Sequence, residues 1–470
     1  MNDWTDDPEH VDRWQKSGDE FRADRTRSKR PADDPLSPIF SEEALALRFA
    51  AQHGDKLRYV SLWSRWLYYD GTCWRFDDTL AVFDRARALC REIATQANKA
   101  SLARTIAGAK TVAAVERLAR ADRRIAATTD QWDAEIWEIN TPDGVVDLRS
   151  GELHAHVAED YTTKITAVGP GGDCPLWRQF LDKITGSDVE LQQFLRRWCG
   201  YTLTGSTREH ALAFGFGTGA NGKSVFTSTI AGIIADYATT APIETFTVTA
   251  SEQHPTELAR LRGARLVVAT ETEEGRRWAE SKIKMLTGGD RTAARFMRQD
   301  FFEFTPQFKL HIIGNHKPGL RSVNEAIRRR FLLVPFNVTI PPEERDADLA
   351  DKLKREWPGI LAWMVDGALA WQQTGLAPPA AVTNATAAYL EAEDALSLWL
   401  DECTVLDVNG WEGISALFGS WKAWCERTGE FVGTQRRFVQ NIEGKGLTYE
   451  RRRHARGYRG RRITADHWNA

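Results

Sequence analysis

No apolar run in this 470-residue chain approaches the ~20 residues needed to span a bilayer. Its opening residues, MNDWTDDPEHVDRW, are acidic and lack the basic-then-apolar order of a secretory signal, so a cytoplasmic protein is expected. The six cysteines (Cys73, Cys90, Cys174, Cys199, Cys403, Cys425) include no CxxC pair. Zinc sites and dithiol motifs both need close pairing, so the cysteines are expected to be reduced and buried. There is no internal repeat and no low-complexity tract. The formal net charge of −3 shows no large excess of either sign and by itself argues neither for nor against nucleic acid.

What is there is a composition of 42% hydrophobic and 27% charged residues, enough for two or three domains with a large core. Charge is unevenly placed. Between Arg436 and Arg462 stand ten basic residues, opposed only by Glu443 and Glu450. Residues 1–37 mix acidic and basic side chains with almost no apolar periodicity and read as a flexible charged arm. Residues 38–140 form an N-terminal accessory domain. It opens on a helical pattern, SEEALALRFAAQHG, and carries a hairpin signal at Asp70-Gly71 between aromatic-rich runs. An Ala- and Arg-rich helical stretch follows from Asp78 to Ile125. Trp63, Trp66 and Trp74 suit strand-face packing better than base stacking. Residues 141–200 hold a short hairpin, NTPDGVVDLRSGEL, and a helical collar. From 201 to 340, short apolar strands alternate with helices, the pattern of a parallel α/β sheet. A helical segment and linker over 341–395, with prolines at 378 and 379, leads to a small helix-rich basic module over 396–470.

The strongest chemical signal is Gly217-Thr-Gly219-Ala-Asn221-Gly222-Lys223-Ser224, which fits GxxxxGK[ST]. It lies between the apolar run from Ala211 and the helical stretch opening at Val225, the strand–loop–helix context that a phosphate-binding loop requires. Glycines there let backbone N–H groups converge on phosphates, and the helix N-terminus adds a favourable dipole. Lys223 is suited to the β- and γ-phosphates of ATP and the Ser224 hydroxyl to Mg²⁺.

Hydrolysis needs further groups. Arg265-Leu-Val-Val-Ala-Thr270-Glu271 is an apolar strand ending in an acid that suits water polarisation or Mg²⁺; Glu273 is a second candidate. Lys309-Leu-His-Ile-Ile-Gly-Asn315 is another strand with a polar end, and parallel strands deliver such ends to one crevice. Arg328-Arg329-Arg330 precedes a further strand; Arg329 or Arg330 is placed to reach a neighbouring subunit's phosphate in a ring.

In order and spacing, the segments TPDGVVDLRSGEL, FLRRWCGYTLTG, GTGANGKS, LARLRGARLVVATETEEGRRW, IKMLTGGD, FKLHIIGNHKP and AIRRRFLLVPF resemble the phage and plasmid primase–helicases of helicase superfamily 3, from about Asn140 to Thr404. The resemblance implies an AAA+-like ATPase fold, a hexameric ring and 3′-to-5′ movement on single-stranded DNA. It implies that Lys223, Ser224, Glu271 and Asn315 match the family's ATPase motifs. It also implies a DNA-gripping hairpin, here between Lys284 and Glu303 with Arg295 and Arg298 near its tip. The C-terminal end resembles the family's winged-helix module, with Gln435–Gly444 as helix and Leu447–Ile463 as a basic hairpin built around Gly457 and Gly460. Arg451, Arg452, Arg453 and Arg456 are its candidate duplex contacts. No zinc-ligand cluster or paired-aspartate strand precedes Asn140, so primer synthesis is not expected and a separate primase or replication protein is the expected partner.

The leading expectation is therefore an ATP-dependent hexameric helicase acting on single-stranded and forked DNA in phage or plasmid replication, inside a bacterial host cell. The alternative is an origin-binding loading factor whose ATP state gates assembly. A small-molecule kinase leaves the basic tail and the arginine-bearing hairpin unexplained.

Overall fold

The computed structural model describes residues 39–249, 256–270, 276–297, 301–320, 323–443, 445, 447–452 and 455–464. The chain divides into two compact units, one of residues 1–69 and 75–130 and the other of residues 70–74 and 131–470.

In the first unit, helix Glu42–His53 starts where the Ser41 hydroxyl accepts the Ala44 amide. Strand Leu57–Val60 pairs antiparallel with Arg65–Tyr69 and parallel with Ala126–Ala127. The helical stretch read from Asp78 to Ile125 is built of three helices: Ala81–Ala94, Ala100–Ile106 and Ala109–Ala119. Extended backbone at Lys99 and Gly108 breaks it, and the shorter helices turn Leu89, Ile93, Ile106 and Val115 inward against Phe49 and Leu57.

The second unit opens on an antiparallel sheet of Glu138–Thr141, Gly144–Asp147 and Leu153–His154. The expected Ser-Gly turn joins its last two strands, with Gly151 at φ 81°. Helices Pro175–Thr185 and Val189–Leu203 follow. The centre of the unit is a five-stranded sheet of β1 (Leu212–Phe216), β2 (Ala238–Thr240), β3 (Leu266–Thr270), β4 (Lys309–Gly314) and β5 (Phe331–Pro335). All neighbours pair in parallel, in the order β5-β1-β4-β3-β2.

Side chains alternate across the sheet because the strand period is two. Leu212, Phe214, Val267, Leu310, Ile312 and Leu333 join one core cluster, which includes Ile283 and Leu286 of helix Glu280–Gly288 and Tyr389 of helix Ala380–Ala392. Ala213, Leu266, Val268 and Val334 join the other, beneath helices Pro175–Thr185, Val189–Leu203, Lys223–Ile234 and Trp357–Thr374. Both faces are thus covered, as parallel sheets require.

The C-terminal module runs helix Ala395–Cys403, strand Thr404–Gly413, helices Ile414–Thr428 and Gln435–Glu443, then strands Thr448–Arg452 and Ala455–Ile463. The last strand lies between the other two, antiparallel to both. Trp399, Trp421, Trp424, Phe438 and Tyr458 fill its core. Gly457 and Gly460, expected in the bend of the basic hairpin, lie within its second strand. A Cβ on Gly457 would come within 2.5 Å of the Trp411 ring, so the glycine is set by close packing rather than by the bend.

Candidate functional site

β1 delivers the chain to the C-terminal edge of the sheet, where it turns through Gly217–Gly222 into helix Lys223–Ile234. Gly222 precedes the helix at φ 82°, a left-handed conformation that glycine adopts without strain. A Cβ there would also press on Ile184 Cγ2 at 2.4 Å. Gly219 sits at φ 99°. Asn221, buried, donates its side-chain amide to the Phe336 carbonyl at 2.9 Å, and the Ala220 carbonyl accepts the Ile340 amide at 2.8 Å. The loop is therefore pinned to the chain leaving β5.

Lys223 is buried, 6% exposed, in the first turn of the helix. Its ammonium donates to the Gly217 carbonyl at 2.5 Å and to Asn315 Oδ1 at 3.1 Å. Burial holds its pKa below the ordinary lysine value, and these two partners are a carbonyl and an amide oxygen, both neutral. Ser224 is exposed beside it and Val225 half-buried.

Asn315 follows β4, whose Gly314 pairs with Phe216 at the end of β1, so the two motifs meet although distant in sequence. The Lys317 ammonium lies 4.1 Å from the Phe216 ring centre. Glu271 and Glu273 lie outside the described residues; β3 ends at the exposed Thr270, one residue before Glu271.

The two candidate arginines part company. Arg330 is buried, 7% exposed, and donates to Thr287 Oγ1 at 3.2 Å and to the Ala326 carbonyl at 2.7 Å. Burial, then the neighbouring Arg329 charge, lowers its pKa. Arg329 is exposed.

Lys284, assigned from sequence to the hairpin, belongs instead to helix Glu280–Gly288, which buries Ile283, Leu286 and Thr287. The helix persists to Gly288 because Gly289, at φ 78°, closes it in left-handed form. The hairpin itself pairs Thr292–Ala294 with Phe302–Phe304. Arg295 follows its first strand with its guanidinium 4.6 Å from the Phe301 ring centre; Arg298 lies outside the described residues. Phe296, Met297 and Phe301 are exposed by 38%, 71% and 61%. Their apolar character is legible in the sequence run FMRQDFFEF, beside the arginines.

In the C-terminal module Arg451 and Arg452 are exposed on strand Thr448–Arg452, and Arg456 is exposed on the next strand. Arg452 also stacks 4.7 Å from the Trp411 ring centre. Arg453 lies outside the described residues.

Residues 46–186 match a family described as D5 N terminal like, and residues 216–330 match a family of unknown function, DUF5906. The "Putative helicase 022R" of Frog virus 3 (isolate Goorha) is 28% identical over 239 residues, covering 46% of this chain and 24% of that protein. A similarly described protein of Acanthamoeba polyphaga mimivirus is 24% identical over 313 residues, covering 62% of this chain and 32% of its own length. The chain thus spans about a quarter to a third of the curated relatives it matches. The A form apo structure of the NrS-1 C terminal region superposes with a TM-score of 0.50 at 10% identity, covering 91% of this chain and 100% of that one; this is a likeness of fold.

Proposed function

We propose that this chain is a member of the D5-like primase–helicase family, whose matches and relatives it shares, and that it is an ATP-driven DNA helicase of a replication system, built on an AAA+-like core and acting as a ring of subunits, six by family resemblance. The observation that carries the reading is the meeting of Lys223 and Asn315 over the glycine loop at the C-terminal ends of β1 and β4. That edge of an open parallel sheet is where ligands bind.

The loop suits a polyphosphate. It offers a helix N-terminus, glycines where side chains would collide, and a buried ammonium whose partners there are a carbonyl and an amide oxygen. ATP bound with Mg²⁺ would supply a transferable γ-phosphoryl group. Lys223 and the amides from Gly219 to Val225 would hold its phosphates, and Ser224 with Glu271 the metal. Asn315, already in contact with Lys223, would orient the attacking water. Arg329 takes the role of reaching a neighbour's site, since Arg330 is engaged within its own chain.

DNA contact is assigned to the half-buried Arg295 and the exposed Phe296 and Phe301 at the hairpin, and to the exposed Arg451, Arg452 and Arg456 in the C-terminal module, which this reading takes as a winged helix. Aromatic faces stack on bases of single strands, whereas arginines answer phosphates. Movement from 3′ to 5′ is the expected polarity.

ATP turnover with and without single-stranded DNA tests the reading. DNA should raise turnover, and Arg329→Ala should lower kcat by about 10³-fold or more while ATP binding persists. Turnover indifferent to both DNA and Arg329 would sink it. Turnover without strand separation would favour the loading factor.

A further inference from the structure

Asp394 stands between the helix Ala380–Ala392, which packs on β5 through the Thr386 hydroxyl and the Leu333 amide at 3.0 Å, and the helix Ala395–Cys403, which opens the C-terminal module. Its carboxylate is nearly buried, 8% exposed. One oxygen accepts the Ser397 amide at 3.3 Å and caps the second helix. The other faces two cations from distant parts of the chain. Lys445, which leads from helix Gln435–Glu443 into the basic hairpin, donates to it and also to the Ser397 hydroxyl at 2.6 Å. Arg328, the last residue of the short helix before β5, approaches it at 3.7 Å.

A helix cap alone needs no cation, and a buried carboxylate is sustained by its partners. Here the partners are informative. Arg328 and Arg330 flank Arg329, and both are tied down: Arg328 to Asp394, Arg330 to Thr287 and Ala326. Arg329 is left exposed between two fixed neighbours. The adjacent Glu393 accepts the Leu320 amide at 2.7 Å, on the segment that follows Asn315. Residues 393 and 394 therefore hold the segment beyond the polar end of β4, the arginine element, and the entry to the basic hairpin.

We infer that Asp394 is a positioning residue: it fixes Arg328, thereby aims Arg329, and ties that aim to the C-terminal basic module through Lys445. The inference rests on the reading of Arg329 as the arginine that acts on a neighbouring subunit.

Asp394→Asn removes the charge and keeps a good helix cap. Arg328→Gln removes a side chain that is 43% exposed, so a loss there is not a failure to fold. In the full chain with single-stranded DNA and ATP, each should lower kcat by about ten-fold with the KM for ATP changed less than about two-fold. The double variant should be no worse than the poorer single one, because the two act as a unit. Asp394→Glu should recover most of the loss. Wild-type kcat in both single variants, or additive losses in the double variant, would overturn the positioning role. Arg329→Ala, measured alongside, separates the two ideas. If it turns over like the wild type, the arginine assignment falls and takes this inference with it. If it is inactive while Asp394→Asn is not, only the positioning role falls.

Discussion

His311 sits in the middle of β4, fully enclosed between the sheet and the helix that starts at Lys223. The Trp198 indole N–H donates to its Nδ1 at 3.2 Å, so the ring proton is on Nε2 and is directed to the Thr227 hydroxyl at 3.0 Å. Burial pulls its pKa down from 6.5 to about 4. In the unfolded chain this imidazole takes a proton near 6.5, whereas in the folded protein it does so only near 4. Between those values the unfolded state holds more protons. The stability present above pH 6.5 is therefore lost progressively as the pH falls toward 4, by on the order of 3 kcal/mol. Denaturant titrations across that window should show this slope in the wild type and a flatter one in His311→Gln; equal slopes would contradict the assignment. The sequence marked β4 for its end at Asn315 and gave no sign of this contact, because Trp198 and Thr227 reach His311 only through tertiary packing. All six thiols are buried, as the absence of CxxC pairs suggested, and burial pushes that of Cys425 up to about 12.

At the scale of elements, local chemistry made the strand–glycine loop–helix unit readable: strand, glycines and helix follow one another in sequence and need no distant partner. The parallel sheet was readable as alternation, and the Ser150-Gly151 turn as turn chemistry. Misreadings arose where distant packing decides. Lys284 went to the helix because Ile283, Leu286 and Thr287 share a buried side. The crossing of helices Val189–Leu203 and Trp357–Thr374 was invisible for the same reason. A Cβ on Gly200 would come 2.0 Å from the Ala368 nitrogen, and one on Gly367 would come 2.1 Å from the Arg196 carbonyl. Gly200→Ala should therefore destabilise the protein by about 1–3 kcal/mol or more, read as a lower denaturant midpoint with an unchanged slope. A midpoint at the wild-type value would mean that the helices do not cross this closely.

Over the whole molecule, a formal net charge of −3 conceals a basic C-terminal stretch, and the described arginines Arg451, Arg452 and Arg456 are exposed there. Sequence order revealed this polarity; it did not reveal that Asp394 joins the base of that stretch, through Lys445, to Arg328 in the element before β5. Among the described residues no helix is long and apolar enough to cross a membrane. Conversion of ATP turnover into strand separation is the central claim, and Lys223 is its narrowest point. The direct measurement is unwinding of a forked duplex with ATP and Mg²⁺ by the wild-type chain and by Lys223→Ala. Separation by the wild type that vanishes in the variant, with DNA binding retained, is the predicted result. A wild type that hydrolyses ATP and leaves the fork paired, or a variant that unwinds as fast as the wild type, would contradict it.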